Sequence, residues 1–479
     1  MIIRDNLFIG GEWVTPSGTE WLEVVNPATE GVFARVPAAT TEDVDRAVEA
    51  ARLAFDHGPW PKLSVAERAE YLRSVMRLFD KRVADAVDQQ IDEMGATHGF
   101  ATATTTAMAP FLERVISDAD SVPMRERRQG VAGPVEVLRE PLGVSAGVIP
   151  WNAPLMVAVT KLFPALLMGC PMIVKPAPES PLSIYLLAEA IEEAGLPRGV
   201  VSIVPGGREV GEHLVSHSGV DKVTFTGSTQ AGRRIAAICG GQLKAVTLEL
   251  GGKSAAILTP GVDLARHIPA VVGNALGNAG QMCIATGRVL VHESQVDAAT
   301  EALVGHIAAM KVGNPHERDT AFGPLVAQRQ RARVEGYVAS AVSEGATLVL
   351  GGKRPEQLPT GWYFEPTVFT DVHNKMTVAQ EEIFGPVVCV IPYRTEDEAV
   401  EIANDSDYGL GGGVYSEDID HALELASRIR TGTVSVNDAP PSGGGGPFGG
   451  YKNSGVGRER AAEGLMTYTE LKSVALPAG

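Results

Sequence analysis

Residues 41–95 carry apolar side chains at three- and four-residue spacing, in ATTEDVDRAVEAARLAF and SVAERAEYLRSVMRLFDKRVADAVDQQI. This spacing predicts amphipathic surface helices, with Thr41 and Ser64 as caps. Over 122–144 the pattern changes to alternating polar and branched residues around a glycine turn at 130–133, which predicts a two-stranded ribbon. Strand-like and helix-like segments then alternate: GVSAGVIP, LMVAVTKLFPALLMG, CPMIVKP, PLSIYLLAEAIEEAG, GVVSIVPG, GREVGEHLVSHS, KVTFTG, STQAGRRIAAICG and KAVTLELGG. Such alternation with short glycine or proline turns predicts an α/β fold, a doubly wound parallel sheet covered on both faces. A second alternating series starts near Gly252 and runs through VLVHES, a strand at 346–351 and VVCVIPY. DAPPSGGGGPFGG (438–450) must be a loop, and SVALP reads as a final edge strand. The longest apolar stretch, 155–174, is broken by Lys161, Pro164 and Pro171, so it predicts a buried helix and strand rather than a membrane span.

Composition narrows the picture. At 479 residues the chain is about three domains long at ~150 residues each. With 44% hydrophobic and 21% charged residues it has ample material for a core and no signature of disorder. Lysine and arginine number 41 against 58 aspartates and glutamates, a net charge of −17, which repels a phosphate backbone and argues against nucleic-acid binding. Any phosphate-bearing ligand must therefore be held locally. Four cysteines without a CxxC pair form neither a disulfide framework nor a zinc cluster, and MIIRDNLFIGGEWV lacks an export signal's basic and apolar regions. A cytoplasmic location is expected. The 53 glycines and 31 prolines imply many tight turns and close backbone approaches.

Several residues could carry chemistry. A strict GxGxxG is absent; Gly227 to Gly232 form a GxxxxG after KVTFT, where helix amides could face a pyrophosphate or simply turn the chain. Lys175 ends an earlier strand, at the side of the sheet where open α/β proteins bind ligands. Cys283, in GQMCIATGR, is either a nucleophile or a small buried hydrophobe; Cys170, Cys239 and Cys389 take the second reading. Glu249, set between leucines at a strand end, has the surroundings that raise a carboxyl group's pKa and suit it to general-base work. His213 and His217 have the spacing of a metal pair, but no glutamate follows the first and no third ligand is evident, so no metal is expected. RERR (125–128) reads as a solvated ribbon turn.

PWNAP (150–154), KPAPESP (175–181), FTGSTQAG (225–232), LELGGKS (248–254), GQMCIATGR (280–288), EEIFGPV (381–387) and PFGGYKNSG (447–455) together resemble the NAD(P)-dependent aldehyde dehydrogenases, in their order and along the whole chain. The resemblance implies a dinucleotide-binding domain (1–120 and 142–251), a catalytic domain (252–450) and an oligomerisation ribbon with a C-terminal arm (121–141 and 451–479). It implies Cys283 as the nucleophile that forms a thiohemiacetal and then a thioester, and Glu249 as the base that activates the hydrolytic water. Asn152 and the Cys283 backbone N–H would form the oxyanion hole, and Lys161 and Glu459 would pass protons outward. For the cofactor it points to Lys175 and Glu382 at the ribose hydroxyls and Phe384 at the nicotinamide. Gly207, Gly211, Gly227 and Ser228 would surround the adenosine and pyrophosphate, with Ile149, Pro150, Trp151, Pro178, Glu179, Phe225 and Leu250 completing that site.

Two departures stand out. Where many NAD-preferring members carry a glutamate three residues after the motif lysine, this chain has Pro178 followed by Glu179, which weakens the preference for NAD over NADP. NAD remains the expected cofactor, with NADP the alternative. The position after Asn152, often aromatic in the family, is Ala153, the next helical turns carry Val157 and Thr160, and PPSGGGG before PFGG has no aromatic. With Met282, Ile284, Ser442 and Phe448 these residues would make a wide apolar funnel, walled in part by the glycines at 443–446, for aromatic, terpenoid or long-chain aldehydes. The rivals are a CoA-acylating semialdehyde dehydrogenase, a branch that typically lacks the glutamate present here as Glu249, and a non-catalytic protein on this scaffold. Retention of Cys283, Glu249 and Asn152 argues against the latter. A homodimer or homotetramer is implied, with the ribbon and the final strand pairing between subunits.

Overall fold

A computed structural model of the chain describes residues 1–440 and 445–477. The early periodicity becomes helices Thr41–Asp56, Val65–Phe79 and Val83–Met94. The first is capped by Thr40 rather than Thr41, because the Thr40 hydroxyl accepts from Asp43 N while the Asp43 carboxylate accepts from Thr40 N, a reciprocal box. Ser64 and Glu67 form the same box on the second helix. The helices His98–Thr106 and Met108–Ala119 and the short strands before residue 40 escape the sequence reading.

The first large sheet runs in the order Gly455–Val456, Ala245–Glu249, Lys222–Thr226, Ser145–Val148, Met172–Lys175, Val201–Ile203, Leu7–Ile9, Glu12–Val14. Its five middle strands are parallel, and antiparallel strands finish both sides. Helices Pro154–Leu167 and Leu182–Glu193 cover one face, burying Phe163, Leu166 and Leu187, while Thr41–Asp56, Arg208–Ser216 and Thr229–Gly241 cover the other through Val44, Val48, Leu214 and Ile235. From Ser145–Val148 the chain winds outward through Met172–Lys175 and Val201–Ile203, then returns to lay Lys222–Thr226 on the opposite side. That reversal opens a crevice at the carboxyl ends of these strands, where doubly wound sheets bind ligands.

The second sheet runs in the order Thr347–Leu350, Thr367–Thr370, Val387–Tyr393, Arg288–His292, Ala255–Leu258, Gly411–Tyr415, Thr433–Val436, parallel except at its first pair. Residues 451–456, grouped with the C-terminal arm above, instead stitch into other strands: Tyr451–Lys452 pairs with Tyr408–Gly409, and Gly455–Val456 with Ala245–Glu249. The ribbon consists of Arg125–Gly130 and Gly133–Pro141. The final strand, Thr469–Ala475, pairs with Gly133–Pro141 of its own chain over its full length, which differs from the expected pairing of these two between subunits. Among the described residues no helix is long and apolar enough to cross a membrane.

Candidate active site

A cleft of about 1680 Å³ lies along the carboxyl ends of the first sheet and is closed by loops of the second. The short stretch after Ser145–Val148 supplies Ile149, Pro150, Trp151, Asn152 and Ala153 to its wall, and Met172–Lys175 ends in Lys175. Pro178, Gly207, Gly211, Phe225, Gly227, Ser228 and Leu250 line it further along, and Glu382 and Phe384 face them from the second sheet's side. Val157, Thr160, Met282, Ile284 and Phe448 line the other end, with Cys283, Glu249 and Glu459 between the two ends. Glu179 lies off the wall, in an ion pair with Arg329, and Lys161 is buried behind it. Ser442 and the glycines at 443–444 lie outside the described residues.

Cys283 is brought into the cleft by an unusual turn. Helix Leu264–Leu276 ends, and Asn278 (φ 51°), Ala279 (φ 53°) and Gly280 (φ 70°) follow in left-handed conformation. Two neighbours clamp this loop: a Cβ on Gly280 would lie 2.1 Å from the Gly385 carbonyl oxygen, and one on Gly252 would lie 2.3 Å from that of Cys283. Buried polar contacts then fix its path. The Asn152 side-chain amide donates to the Gln281 carbonyl at 2.9 Å, Asn278 Nδ2 donates to the Asn152 carbonyl at 3.1 Å, and the Gln281 side chain joins Asn278 O to Val326 N. Asn152 Nδ2 carries a second hydrogen, so one donor is left for a ligand oxygen. Cys283 is half-buried, whereas Cys170, Cys239 and Cys389 are fully buried. Burial, with Glu382 and Glu249 nearby, pushes the Cys283 thiol up to about 12.

Glu249 ends the strand Ala245–Glu249, opposite Thr226 and Gly455. Both its carboxylate oxygens are buried without a hydrogen-bond partner among the described residues. Burial, and then the charge of Glu459, hold this carboxyl well above the ordinary range, against Lys161, Arg458 and Arg460. Behind it, Lys161 Nζ donates to Glu459 Oε1 at 2.5 Å and to Thr224 Oγ1 at 3.1 Å, and Thr224 donates to the same carboxylate oxygen at 3.1 Å. A thiol, an unsolvated carboxyl group and a spare amide donor thus share one cleft, the set needed to attack a carbonyl carbon, hold its oxygen and move a proton.

At the far end Lys175 Nζ donates to the carbonyls of Gly206 and Pro176, and burial pulls its pKa down to about 8. Glu382 Oε1 accepts from Gly252 N at 3.0 Å. Phe384, at φ 60°, meets Trp151 edge to face with ring centroids 5.4 Å apart, and Gln330 Nε2 donates to its carbonyl. Sequence reasoning misses Phe100 and Phe111, which reach the cleft from the two unforeseen helices, and Arg460, Asn278 and Gln281. A polar pair so close to Cys283 is the one signal that could have flagged Asn278 and Gln281.

The fold and this constellation define an α/β enzyme that works through a cysteine at a crevice of nucleotide-binding shape. The Aldehyde dehydrogenase family profile matches residues 13–474, and the chain belongs to that family; it is an oxidoreductase acting on aldehydes. Geranial dehydrogenase of Castellaniella defragrans is 42% identical, over 99% of both chains. A Mycobacterium tuberculosis aldehyde dehydrogenase solved with NAD+ is 45% identical, covers 100% of this chain and 99% of its own, and superposes with a TM-score of 0.97. A Pseudomonas syringae aldehyde dehydrogenase variant, solved with NAD+ and octanal, is 38% identical with a TM-score of 0.94, over 99% of this chain and 98% of that one.

Proposed function

We propose that the enzyme oxidises bulky hydrophobic aldehydes to carboxylic acids with NAD, using Cys283 as nucleophile, Asn152 as oxyanion donor and Glu249 as general base. The observation that carries this reading is that those three groups line one cleft together with Phe100, Phe111, Met156 and Phe448. The far end suits a dinucleotide. Helices Arg208–Ser216 and Thr229–Gly241 begin there with Gly207 and Ser228 at their N-caps, so free amides face the cleft. Gly211 lets the backbone pass close to Lys175, since a Cβ there would lie 3.3 Å from Lys175 Cε. Lys175 and Glu382 would hold ribose hydroxyls and Phe384 the nicotinamide. Relatives solved with NAD+ support NAD. With Pro178 three residues after the lysine and Glu179 paired to Arg329, the usual NAD-selective position holds no carboxylate, so NADP is the second cofactor to assay.

In this scheme Cys283 first loses its thiol proton to water in the cleft; the thiolate sulfur then bonds to the aldehyde carbon, and the former carbonyl oxygen takes the negative charge. The spare Asn152 N–H and the Cys283 backbone N–H receive that oxygen. NAD, when bound, supplies the acceptor for the hydride that leaves the thiohemiacetal carbon. Glu249 then takes a proton from water as its oxygen attacks the thioester, which releases the acid and returns the thiolate. Glu459, Thr224 and Lys161 would carry the proton away from Glu249.

The substrate class follows from the outer wall. Ala153 and Val157 leave room, and Thr160 donates its hydroxyl to Met156 O at 2.8 Å, so its polar end is tied to its own helix. Phe100, Phe111, Met156 and Phe448 provide apolar area, so the funnel carries two aromatic residues beyond the expected Phe448. A geranial dehydrogenase and an octanal complex among the relatives support the same class. Cofactor absorbance at 340 nm over an aldehyde size series tests the proposal. Terpenoid, aromatic and eight-carbon aldehydes should give a higher kcat/KM than acetaldehyde or propanal, and Cys283→Ala should abolish the signal. A preference for the two small aldehydes would overturn the substrate class, and turnover by Cys283→Ala the mechanism.

A cytoplasmic site of action fits four unpaired cysteines. Subunits would meet through the ribbon, whose outer strand Arg125–Gly130 presents an open edge. Light scattering on the purified protein distinguishes a monomer from the proposed homodimer or homotetramer.

A further inference from the structure

The thiol of Cys283 presents a difficulty that the proposed reaction leaves open. It sits where two carboxyl groups, Glu249 from the first sheet and Glu382 from a loop of the second, both oppose its ionisation. The thiolate, not the thiol, is the effective nucleophile. Some group must favour the anion.

Arg460 is placed to do so. It lines the same cleft as Cys283, one residue after Glu459, with its Cζ 4.8 Å from the centre of the Phe448 ring. Phe448 is held in turn by paired backbone bonds to Glu459, Phe448 N to Glu459 O and Glu459 N to Phe448 O, both 2.7 Å. The backbone at Arg460 (φ 63°, ψ 172°) and Ala461 (φ 50°) lies where L-residues are rare. Such conformations persist only where the surroundings impose them, and they cluster at functional sites. Cleft, ring and backbone bridge together fix a guanidinium in the wall that Cys283 shares. The neighbouring cations are Lys161, bound to Glu459 and Thr224, and Arg458, bound to the carbonyls of Gly450 and Gly457.

We infer that Arg460 is a positioning residue for the nucleophile: its guanidinium, held on Phe448, stabilises the Cys283 thiolate against Glu249 and Glu382. The inference rests on Cys283 being the nucleophile. The positive charge of Arg460 favours the anion at the thiol; burial opposes the protonated guanidinium, while Glu459 first, and then the thiol and Glu249, favour it. Arginine suits the task because it stays charged where a buried lysine would surrender its proton.

The test reads the thiol directly, without aldehyde or cofactor. Alkylation of Cys283 by iodoacetamide is followed by mass spectrometry on the full chain from neutral to alkaline pH, in wild type, Arg460→Met and Arg460→Lys. Loss of the cation should raise the apparent thiol pKa by about one unit, so that alkylation at neutral pH falls about tenfold in Arg460→Met and recovers toward wild type at high pH. Arg460→Lys should restore most of the neutral-pH rate. An unchanged profile in Arg460→Met overturns the inference, and so does an equal loss in Arg460→Lys, which would assign the effect to shape rather than charge. If Arg460→Met does not fold, Arg460→Gln replaces it with the same expectations. Failure of the catalytic reading shows separately, as turnover surviving in Cys283→Ala.

Discussion

Glu249 illustrates how one buried carboxyl group is tuned by its neighbours. Its raised pKa comes first from burial and next from the negative charge of Glu459, so removing that charge must lower it. A base works when deprotonated; lowering its pKa therefore extends activity toward acid. Glu459→Gln should move the acid limb of the pH profile for thioester hydrolysis to lower pH by about one unit, because Lys161 then loses its partner and its charge acts on Glu249 more strongly. Pre-steady-state measurement of acyl-enzyme breakdown against pH checks this, and a limb that stays or moves toward alkaline pH would show that the two carboxyl groups do not interact. Glu249 stands out in the sequence through its leucine neighbours, whereas Cys283 is singled out only by the family motif around it, its own neighbours leaving a small buried hydrophobe open. Arg460 does not stand out, because its importance depends on a left-handed backbone and on an aromatic ring twelve positions earlier, neither of which leaves a periodic trace.

At the scale of elements, the loop between helix Leu264–Leu276 and strand Arg288–His292 is where close backbone packing decides function. Gly280 combines a positive φ with a carbonyl where its Cβ would be, so no L-residue fits without moving the chain. Gly280→Ala should shift Cys283 by a fraction of an ångström to an ångström and lower kcat about a hundredfold, while far-ultraviolet circular dichroism stays native-like. Retained kcat would mean that the loop relaxes without displacing the thiol. The long helices of residues 41–94 were legible because amphipathic periodicity and capping chemistry coincide there, with an error of one residue at Thr40. Helix His98–Thr106 was not, since its ATATTT run carries small and β-branched residues in place of an apolar stripe. The strands before residue 40 are two to six residues long, too short for alternation to register. The cost of these omissions was Phe100 and Phe111 in the cleft wall.

At the scale of the molecule, one sheet's switch point supplies a cleft and the other sheet's loops close it, so both units contribute to one space. The alternating order of strands and helices announced the doubly wound sheet, but the partnership of residues 451–456 with strands some 40 to 210 positions away could not be read from local pattern. The size of the cleft makes the proposed substrate class testable without touching the reacting groups. Val157 lies one turn into helix Pro154–Leu167 and faces the funnel, away from Cys283's clamps at Gly252 and Gly385. A phenylalanine there removes space from the outer cleft and leaves the thiol, Asn152 and Glu249 as they are. Crowding by a side chain of that size is worth about 1–3 kcal/mol, so Val157→Phe should lower kcat/KM for eight-carbon and terpenoid aldehydes about 10- to 100-fold. The loss should fall mainly on KM, because the reacting geometry is retained. Acetaldehyde, too short to reach the new ring, should keep its kcat/KM within about twofold, a difference of about 0.4 kcal/mol. Equal losses for long and short aldehydes would place the damage at the chemistry and remove the funnel as the source of selectivity.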